Sequence, residues 1–511
     1  MGLAPRSCPL VLLLAGLTAC GGEGRRPNVL LVSIDMLRAD HVSAYGYERR
    51  TTPTLESLAA EGVRFDRHIS SAPWTLPAHA ALFTSLPDSV HGCVEGSGNA
   101  LSPEVTTLAE RYREAGYATG GFYAGPYLHE AFGLGQGFET YEYCVPDAEG
   151  LFAAEDVEAW AGDPAAHRRS HHGVTNPGVV EASTAWLEAH AEEPFFLFVH
   201  LWDAHFDFVP PPAFARRFAD SGYDGWVDGR EFFFDPRIRA DMDPRDLNQL
   251  LALYDGEIMW CDAHVKLLLE RLDALGLAQD TVVVVTSDHG TEFFDHGQKG
   301  HRRTLYDEAL RVPLIVRAPG TLAAGGVVEG VTRTVDVGPT LLELCGLGGA
   351  GQLEGVSLVA AARGEAQRAR PALSELLADR NQLLSVTTER GRIVWNRATD
   401  AVVWFDLASD PNERSPRTDL EEGLGAELAQ ALAGEVQRLR EAEITHARVA
   451  MLACAGFLVQ EKVHPLFSGD GGPAIDQIPQ LPVWVWGVML AGIGNAEQRS
   501  EEHTSELQSH S

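Results

Sequence analysis

Three apolar runs that each end in an acid or an imidazole constrain this chain more than any other feature. "PNVLLVSIDML" (27–37), "EPFFLFVHLWDAH" (193–205) and "DTVVVVTSDHG" (280–290) are rich in Val, Leu, Ile or Phe and do not alternate with polar residues. Unbroken hydrophobicity marks strands buried on both faces, as in parallel sheets covered by helices. Helical patterns lie between and beside them: "TTPTLESLAAEG" (51–62), "VTTLAERYREAG" (105–116) and "LLALYDGEIMWCDAHVKLLLERLDALG" (250–276), each closed by glycine. Strands alternating with helices predict an α/β fold with a doubly wound, mostly parallel sheet flanked by helices. Beyond about residue 365 the short alternating runs of 383–413 predict a smaller C-terminal antiparallel-sheet subdomain, and the Pro- and Gly-rich stretch 205–240 reads as loop.

That architecture places ligands outside the carboxyl ends of the strands. Asp35, Asp203, His205, Asp288 and His289 all follow predicted strands, so residues far apart in sequence are expected to converge. Asp35, Asp288 and His289 form a candidate site for one divalent metal ion. Carboxylates favour hard ions such as Mg, Ca or Mn, and one imidazole tilts the choice toward Mn or Zn. The Asp288-His289-Gly290 triplet is the more specific half of this signal, since Asp35 taken alone reads as a helix-capping or turn aspartate.

Thr75 stands in "SSAPWTLPAHAALFTS" (70–85), just before a helix-like run. A hydroxyl there reads as a helix cap. It also reads as a nucleophile, because helix N-termini hold anions and a nearby metal would turn the hydroxyl into an alkoxide.

Four segments carry a family resemblance. "NVLLVSIDMLRAD" (28–40), "APWTLPAHAALFTS" (72–85), "TSDHGTEFFDHGQKGH" (286–301) and "TLYDEALRVPLIV" (304–316) resemble, in order and separation, the sulfatase family of the alkaline phosphatase superfamily. "VVWFDLASDPNE" (402–413) resembles that family's terminal strand, so the resemblance covers roughly 27–440. It implies metal ligands at Asp35, Asp288 and His289, with Thr75 both at the nucleophile position and, as an alkoxide, a fourth metal ligand. It also implies a leaving-group or anion-binding histidine at His205, and anion-binding groups at His301, with Arg302 beside it, and at His79. Asp203 is a weaker substrate-binding candidate, and His296 reads either as a contributor or as a surface loop residue.

The departures from the family pattern shape the expected chemistry. Met36 follows Asp35 where sulfatases place a second aspartate, which resembles phosphonate monoester hydrolases of the family; Asp40 then reads as structural. Sulfatases use a formylglycine made from Cys or Ser. Thr75 carries a methyl on Cβ, so oxidation there would give a ketone, and direct attack by the threonine is the implied route. The expected enzyme is a metal-dependent ester hydrolase that cleaves phosphate or phosphonate esters through a covalent Thr75 intermediate. Alternatives are a sulfuric ester hydrolase, a transferase of phospho-substituents onto envelope lipid or glycan, and a catalytically degenerate binding protein. A two-metal site drawing on Asp203, His205 and His301 has less support, because their spacing is unlike that of two-zinc relatives.

The remaining expectations concern the ends and the partners. "MGLAPRSCPLVLLLAGLTACGG" has the pattern of a secretory signal, and "LTAC" (17–20) resembles a lipobox with Cys20 as the lipidated residue. The chain is therefore expected to be exported to the cell envelope, at the periplasm or outer membrane of a Gram-negative cell, held to the membrane by a lipid anchor only. Its expected partners are small-molecule, glycan or lipid ester substrates, with no protein partner. A net charge of −32 argues against nucleic acid, whose phosphates need clustered Lys and Arg. The seven cysteines show no CxxC, and their pairing is not legible. Expected boundaries are 1–20 signal, 21–365 catalytic domain, 366–445 C-terminal subdomain and 446–498 an uncertain tail whose apolar runs suit core packing. The last stretch, 499–511, resembles a translated sequencing adapter, which implies truncation of the natural chain.

Overall fold

The structure, a computed structural model, describes residues 26–95, 99–145, 174–348, 353–366, 370–378 and 381–441. The chain divides into two compact units, Met1–Glu435 and Val436–Ser511. The expected signal segment with Cys20, the stretch 446–498 and the stretch 499–511 lie outside the described residues.

The first unit is built around an eight-stranded sheet. The strands are β1 (Asn28–Ile34), β2 (Val63–Ile69), β3 (Ala118–Tyr123), β4 (Thr140–Tyr143), β5 (Phe195–Leu201), β6 (Thr281–Thr286), β9 (Arg311–Arg317) and β10 (Gly326–Arg333). Their order is β10-β2-β9-β6-β1-β5-β3-β4. The three apolar runs became β1, β5 and β6, the middle of the sheet, with β1 parallel to both neighbours. Every residue of these three strands is buried. The pleat explains the missing alternation: Val29 and Leu31 enter one core, Leu30, Val32 and Ile34 the core on the opposite face. Each such side chain contributes about 1.5–3 kcal/mol when fully buried.

The sheet is mixed rather than uniformly parallel, since β9 runs antiparallel to β2 and β6. Nothing in the apolar run "RVPLIVR" reports direction, because buried strands of either sense look alike. A two-stranded hairpin, β7 (Glu292–Phe293) with β8 (Lys299–Gly300), follows β6. A separate antiparallel sheet, β11 (Ala372–Leu376), β12 (Leu383–Thr387), β13 (Gly391–Asn396) and β14 (Ala401–Asp406), forms the C-terminal part.

The predicted helices are present over Pro53–Glu61, Leu108–Glu114 and Pro244–Ala274. The long one starts before the apolar pattern does, because Asp243 accepts from the Arg245 N–H and Pro244 suits the first turn. The stretch read as loop at 205–240 contains a short helix, Pro212–Phe218. Among the described residues no helix is long and apolar enough to cross a membrane, and Cys93, Cys144, Cys261 and Cys345 are free.

The C-terminal sheet reaches toward the Thr75 segment. Glu375 on β11 donates its N–H to the Ser71 carbonyl at 2.8 Å, and the Ser374 hydroxyl donates to the Ser70 carbonyl at 2.6 Å. The Ser70 hydroxyl bonds in turn to the carbonyl of Asp288. The segment before Thr75 is therefore fixed between both sheets.

Candidate active site

The carboxyl ends of β1 and β6 deliver two carboxylates side by side. Asp35 follows β1, and its N–H donates to the Leu201 carbonyl at the end of β5 (3.0 Å). Met36 then turns through φ 55°, a left-handed conformation costing on the order of 1–2 kcal/mol in a non-glycine residue. The turn is held: the Tyr254 hydroxyl donates to the Met36 carbonyl at 2.6 Å, and the Leu37 N–H donates to the Ser287 hydroxyl at 3.0 Å. It also points the Met36 N–H at Asp288 Oδ1 (3.2 Å). Thus the residue standing where sulfatases carry a second aspartate orients the other carboxylate with its backbone.

Each acid has one oxygen tied and one left over. Asp288 Oδ1 accepts from the N–H groups of Met36 and His289 (2.9 Å to the latter), while Oδ2 has no hydrogen-bond partner. Asp35 Oδ2 meets His200 Nε2 at 3.1 Å and the Thr75 hydroxyl at 3.4 Å, while Oδ1 has no hydrogen-bond partner. His289 follows the same plan. A carbonyl can only accept, so Nδ1 carries a proton and donates it to the Gly290 carbonyl at 2.7 Å. Its Nε2 lone pair then faces Asp288 Oδ2 at 3.4 Å and Asp35 Oδ1 at 3.8 Å. Gly290 is required, since a Cβ there would lie 2.0 Å from the Glu308 carbonyl oxygen.

Three buried ligand atoms within 4.8 Å of one another could hold a metal ion. Two unpartnered buried carboxylate oxygens are expensive without a cation, so the donor set fits the divalent metal implied by the sequence. Burial, followed by the charge of Asp288, pushes the Asp35 carboxyl well up from its usual range. Burial acts upward on Asp288 too, but His289, His79 and His200 outweigh it and hold that carboxyl low.

Thr75 opens the helix Thr75–Thr84 as its first residue, not as its cap. The cap position belongs to Trp74, with φ −167° and ψ 160°, and no side chain caps the helix. Instead the Thr75 hydroxyl points to Asp35 Oδ2 at 3.4 Å and His289 Nε2 at 3.3 Å. The helix-cap reading is corrected: the hydroxyl sits among the acid and imidazole groups.

The other expected residues divide into two sets. His301 joins the cluster, with its ring 4.5 Å from that of His289 and 5.2 Å from that of His205. His205 stacks on Trp202 at 3.9 Å and donates Nδ1–H to the Phe206 carbonyl at 3.0 Å. Arg302 lies over Trp74, next to Thr75, with its guanidinium 4.0 Å from the ring.

His79 and Asp203 depart from expectation. His79 is wholly buried beneath the site; Nδ1 donates to the Thr75 carbonyl at 2.9 Å, and Nε2 accepts from the Ser33 hydroxyl at 3.0 Å. Burial lowers its pKa to about 4, so it is neutral and its nitrogens are committed. It braces the helix start and does not hold substrate oxygens. Asp203 accepts from Thr175 N–H (2.7 Å), Thr175 hydroxyl (2.6 Å), Asn176 N–H (3.1 Å) and Trp260 Nε1 (2.7 Å). It caps the helix Asn176–Ala189 and is no substrate ligand. Asp40 pairs with Arg38 at 2.7 Å, as a structural residue does. His296 bonds to Glu308 (2.6 Å) and stacks on Tyr306.

Sequence reasoning missed His200. It is wholly buried in β5 and bonded to Asp35. Its signal was one imidazole inside the otherwise apolar strand "FFLFVHL".

Comparison with known proteins gives two separate likenesses. Residues 27–347 match the family model described as Sulfatase, and 293–442 match N-sulphoglucosamine sulphohydrolase, C-terminal. Steryl-sulfatase of Mus musculus is 25% identical, covering 83% of this chain and 83% of its own length. The multifunctional alkaline phosphatase superfamily protein PehA of Trinickia caryophylli is 26% identical, over 63% of this chain and 74% of that one. The crystal structure of phosphonate monoester hydrolase from Agrobacterium radiobacter superposes with a TM-score of 0.64 at 24% identity, covering 81% of this chain and 96% of that one. The second likeness is C-terminal. Residues 407–511 match the model described as Chlorophyll A-B binding protein. A fucoxanthin-chlorophyll a-c binding protein of Isochrysis galbana is 76% identical over 63 residues, so the chain spans only 30% of that relative.

Proposed function

Since this chain belongs to the sulfatase family and is an ester hydrolase, we propose that Thr75 is its nucleophile and that it cleaves phosphate or phosphonate esters. The observation that carries this reading is the Thr75 hydroxyl, aimed at Asp35 and His289 instead of capping its helix. A methyl on Cβ bars the aldehyde route, so the threonine oxygen itself forms the bond to phosphorus. Asp35 Oδ1, Asp288 Oδ2 and His289 Nε2 would hold one divalent cation, which supplies Lewis-acid stabilisation of the charge on the transferred group.

The protein's own groups account for the protons. Thr75 Oγ bonds to phosphorus as the ester oxygen leaves, and the hydroxyl proton passes to Asp35 Oδ2, 3.4 Å away. His205, whose Nδ1–H is fixed on the Phe206 carbonyl, enters protonated and gives its Nε2 proton to the leaving oxygen. Water then attacks phosphorus, the bond to Thr75 Oγ breaks, and Oγ recovers its proton from Asp35. The proton of the attacking water returns to His205. His301 and the Arg302 guanidinium hold the outer oxygens.

Relatives named as sulfatases favour a second reading, direct attack on sulfate esters. Turnover of nitrophenyl phosphate, bis-nitrophenyl phosphate, a nitrophenyl phosphonate and nitrophenyl sulfate by the Mn²⁺-loaded chain decides between them. Phosphorus esters turned over faster than sulfate support the proposal, and the reverse order overturns it.

The likeness of the C-terminal stretch to chlorophyll-binding proteins has no counterpart in the hydrolase site, whose residues all precede Arg303. Its part beyond 441 is read as a pigment-protein segment joined to a hydrolase, and a chain ended at 441 is expected to keep ester hydrolysis. The N-terminal segment keeps its reading as a lipoprotein signal, with Cys20 the lipidated residue and the envelope as its location. Palmitate labelling that is lost in Cys20→Ala tests it.

A further inference from the structure

We infer that His200 is a positioning residue that aims Asp35 at the cation, and that the cluster it forms with His79 and Asp288 is not a second metal site. The inference rests on the reading of Asp35, Asp288 and His289 as cation ligands. His79, His200 and Asp288 place three ligand-type atoms within 4.8 Å of one another, all buried, and Asp288 belongs to both groups. By spacing alone the protein would bind two cations bridged by Asp288.

The hydrogen bonds decide otherwise. A backbone N–H can only donate, and that of Gly125 reaches His200 Nδ1 at 3.4 Å. Nδ1 therefore presents its lone pair, and the neutral ring carries its proton on Nε2. That proton is donated to Asp35 Oδ2 at 3.1 Å. His79 is fixed by the same logic: the Thr75 carbonyl 2.9 Å from Nδ1 requires the proton there, and the Ser33 hydroxyl takes Nε2 at 3.0 Å. Both nitrogens that face the second cluster thus carry hydrogen, and neither offers a lone pair to a cation.

The arrangement orients a ligand instead. With Oδ2 held by His200 and by Thr75, Asp35 turns its unpartnered Oδ1 toward His289 Nε2 and Asp288. The position is prepared by Gly125, where a Cβ would lie 2.7 Å from His200 Cε1. Outer hydrogen-bond partners of this kind are worth roughly 10–100-fold in metal affinity.

The test compares Mn²⁺ binding by titration calorimetry, with elemental stoichiometry, in the full chain and two variants. In His200→Asn the side chain keeps a polar atom near Gly125 but is too short to reach Asp35. In His200→Gln the amide N–H reaches as far as Nε2 does. The expected result is one Mn²⁺ per parent chain, affinity lowered about 10–100-fold in His200→Asn, and recovery to within about threefold of the parent in His200→Gln. Thermal melts of the metal-free proteins report folding, and the Asn–Gln contrast holds even if both melt lower. Equal affinity in His200→Asn and parent overturns the positioning role while leaving the metal reading intact. Two ions in the parent with one lost in His200→Asn makes His200 a ligand and overturns it as well. A parent that binds none sinks the metal reading and the inference together.

Discussion

Thr75 Oγ lies 3.3 Å from His289 Nε2, although 214 residues separate them. That contact joins the start of a helix to the turn after β6, and the turn after β1 closes the group through Asp35. The Thr75 hydroxyl is therefore held by two of the three groups that could hold a metal ion, so in the proposed reaction attack and charge neutralisation would be coupled.

His79 braces this arrangement. Its removal in His79→Ala deprives the buried Ser33 hydroxyl of its partner and leaves a cavity beneath Thr75. The expected cost is about 2–5 kcal/mol of stability, read by denaturant unfolding. KM for the ester should change little, because the imidazole touches no substrate.

Asp203 tests the same distinction at a second place. Asp203→Ala strips four donors of their acceptor, including two backbone N–H groups at the start of Asn176–Ala189. A loss of about 2–4 kcal/mol is expected from the cap and the unsatisfied Trp260 N–H. Activity per folded molecule should stay close to that of the parent. A selective rise in KM would return Asp203 to the substrate pocket.

Legibility followed what each residue does to a one-dimensional pattern. β1, β5 and β6 were readable because two-sided burial keeps their length mostly apolar, so Asp35 and the Asp288-His289 pair stood out at their ends. Asp203 stood at a strand end too, but there the chain turns the carboxylate to a neighbouring helix, and sequence does not report that rotation. His200 was hidden for the opposite reason: it sits within the strand, where a single imidazole reads as a packed core residue. Thr75 was ambiguous between cap and nucleophile because both readings use a hydroxyl at a helix start. Only the extended Trp74 preceding it shows that the cap position is already filled.

Glu375, at the junction of the C-terminal sheet with the Ser70–Ser71 segment, makes stability depend on pH. Burial, reinforced by Asp88, raises its pKa to about 7, while Ser89 donates both its N–H and its hydroxyl to Oε2 at 3.0 Å. A carboxyl with a raised folded-state pKa favours the folded state fully below its unfolded value near 4.5, and this contribution disappears as pH rises through about 7. Glu375→Gln keeps an acceptor for Ser89 and cannot ionise. Its melting temperature relative to the parent is therefore expected to climb between pH 5 and pH 8. A constant difference across that range would show that Glu375 does not titrate there.

The decisive measurement for the nucleophile is to acid-quench the Mn²⁺-loaded chain during turnover of a phosphonate ester and weigh the peptide holding residues 70–85 by mass spectrometry. A phosphonyl group is expected on Thr75, absent in Thr75→Ala, with turnover in that variant lower by at least about 10³-fold. An unmodified peptide, with activity surviving in Thr75→Ala, would rule the threonine out as nucleophile.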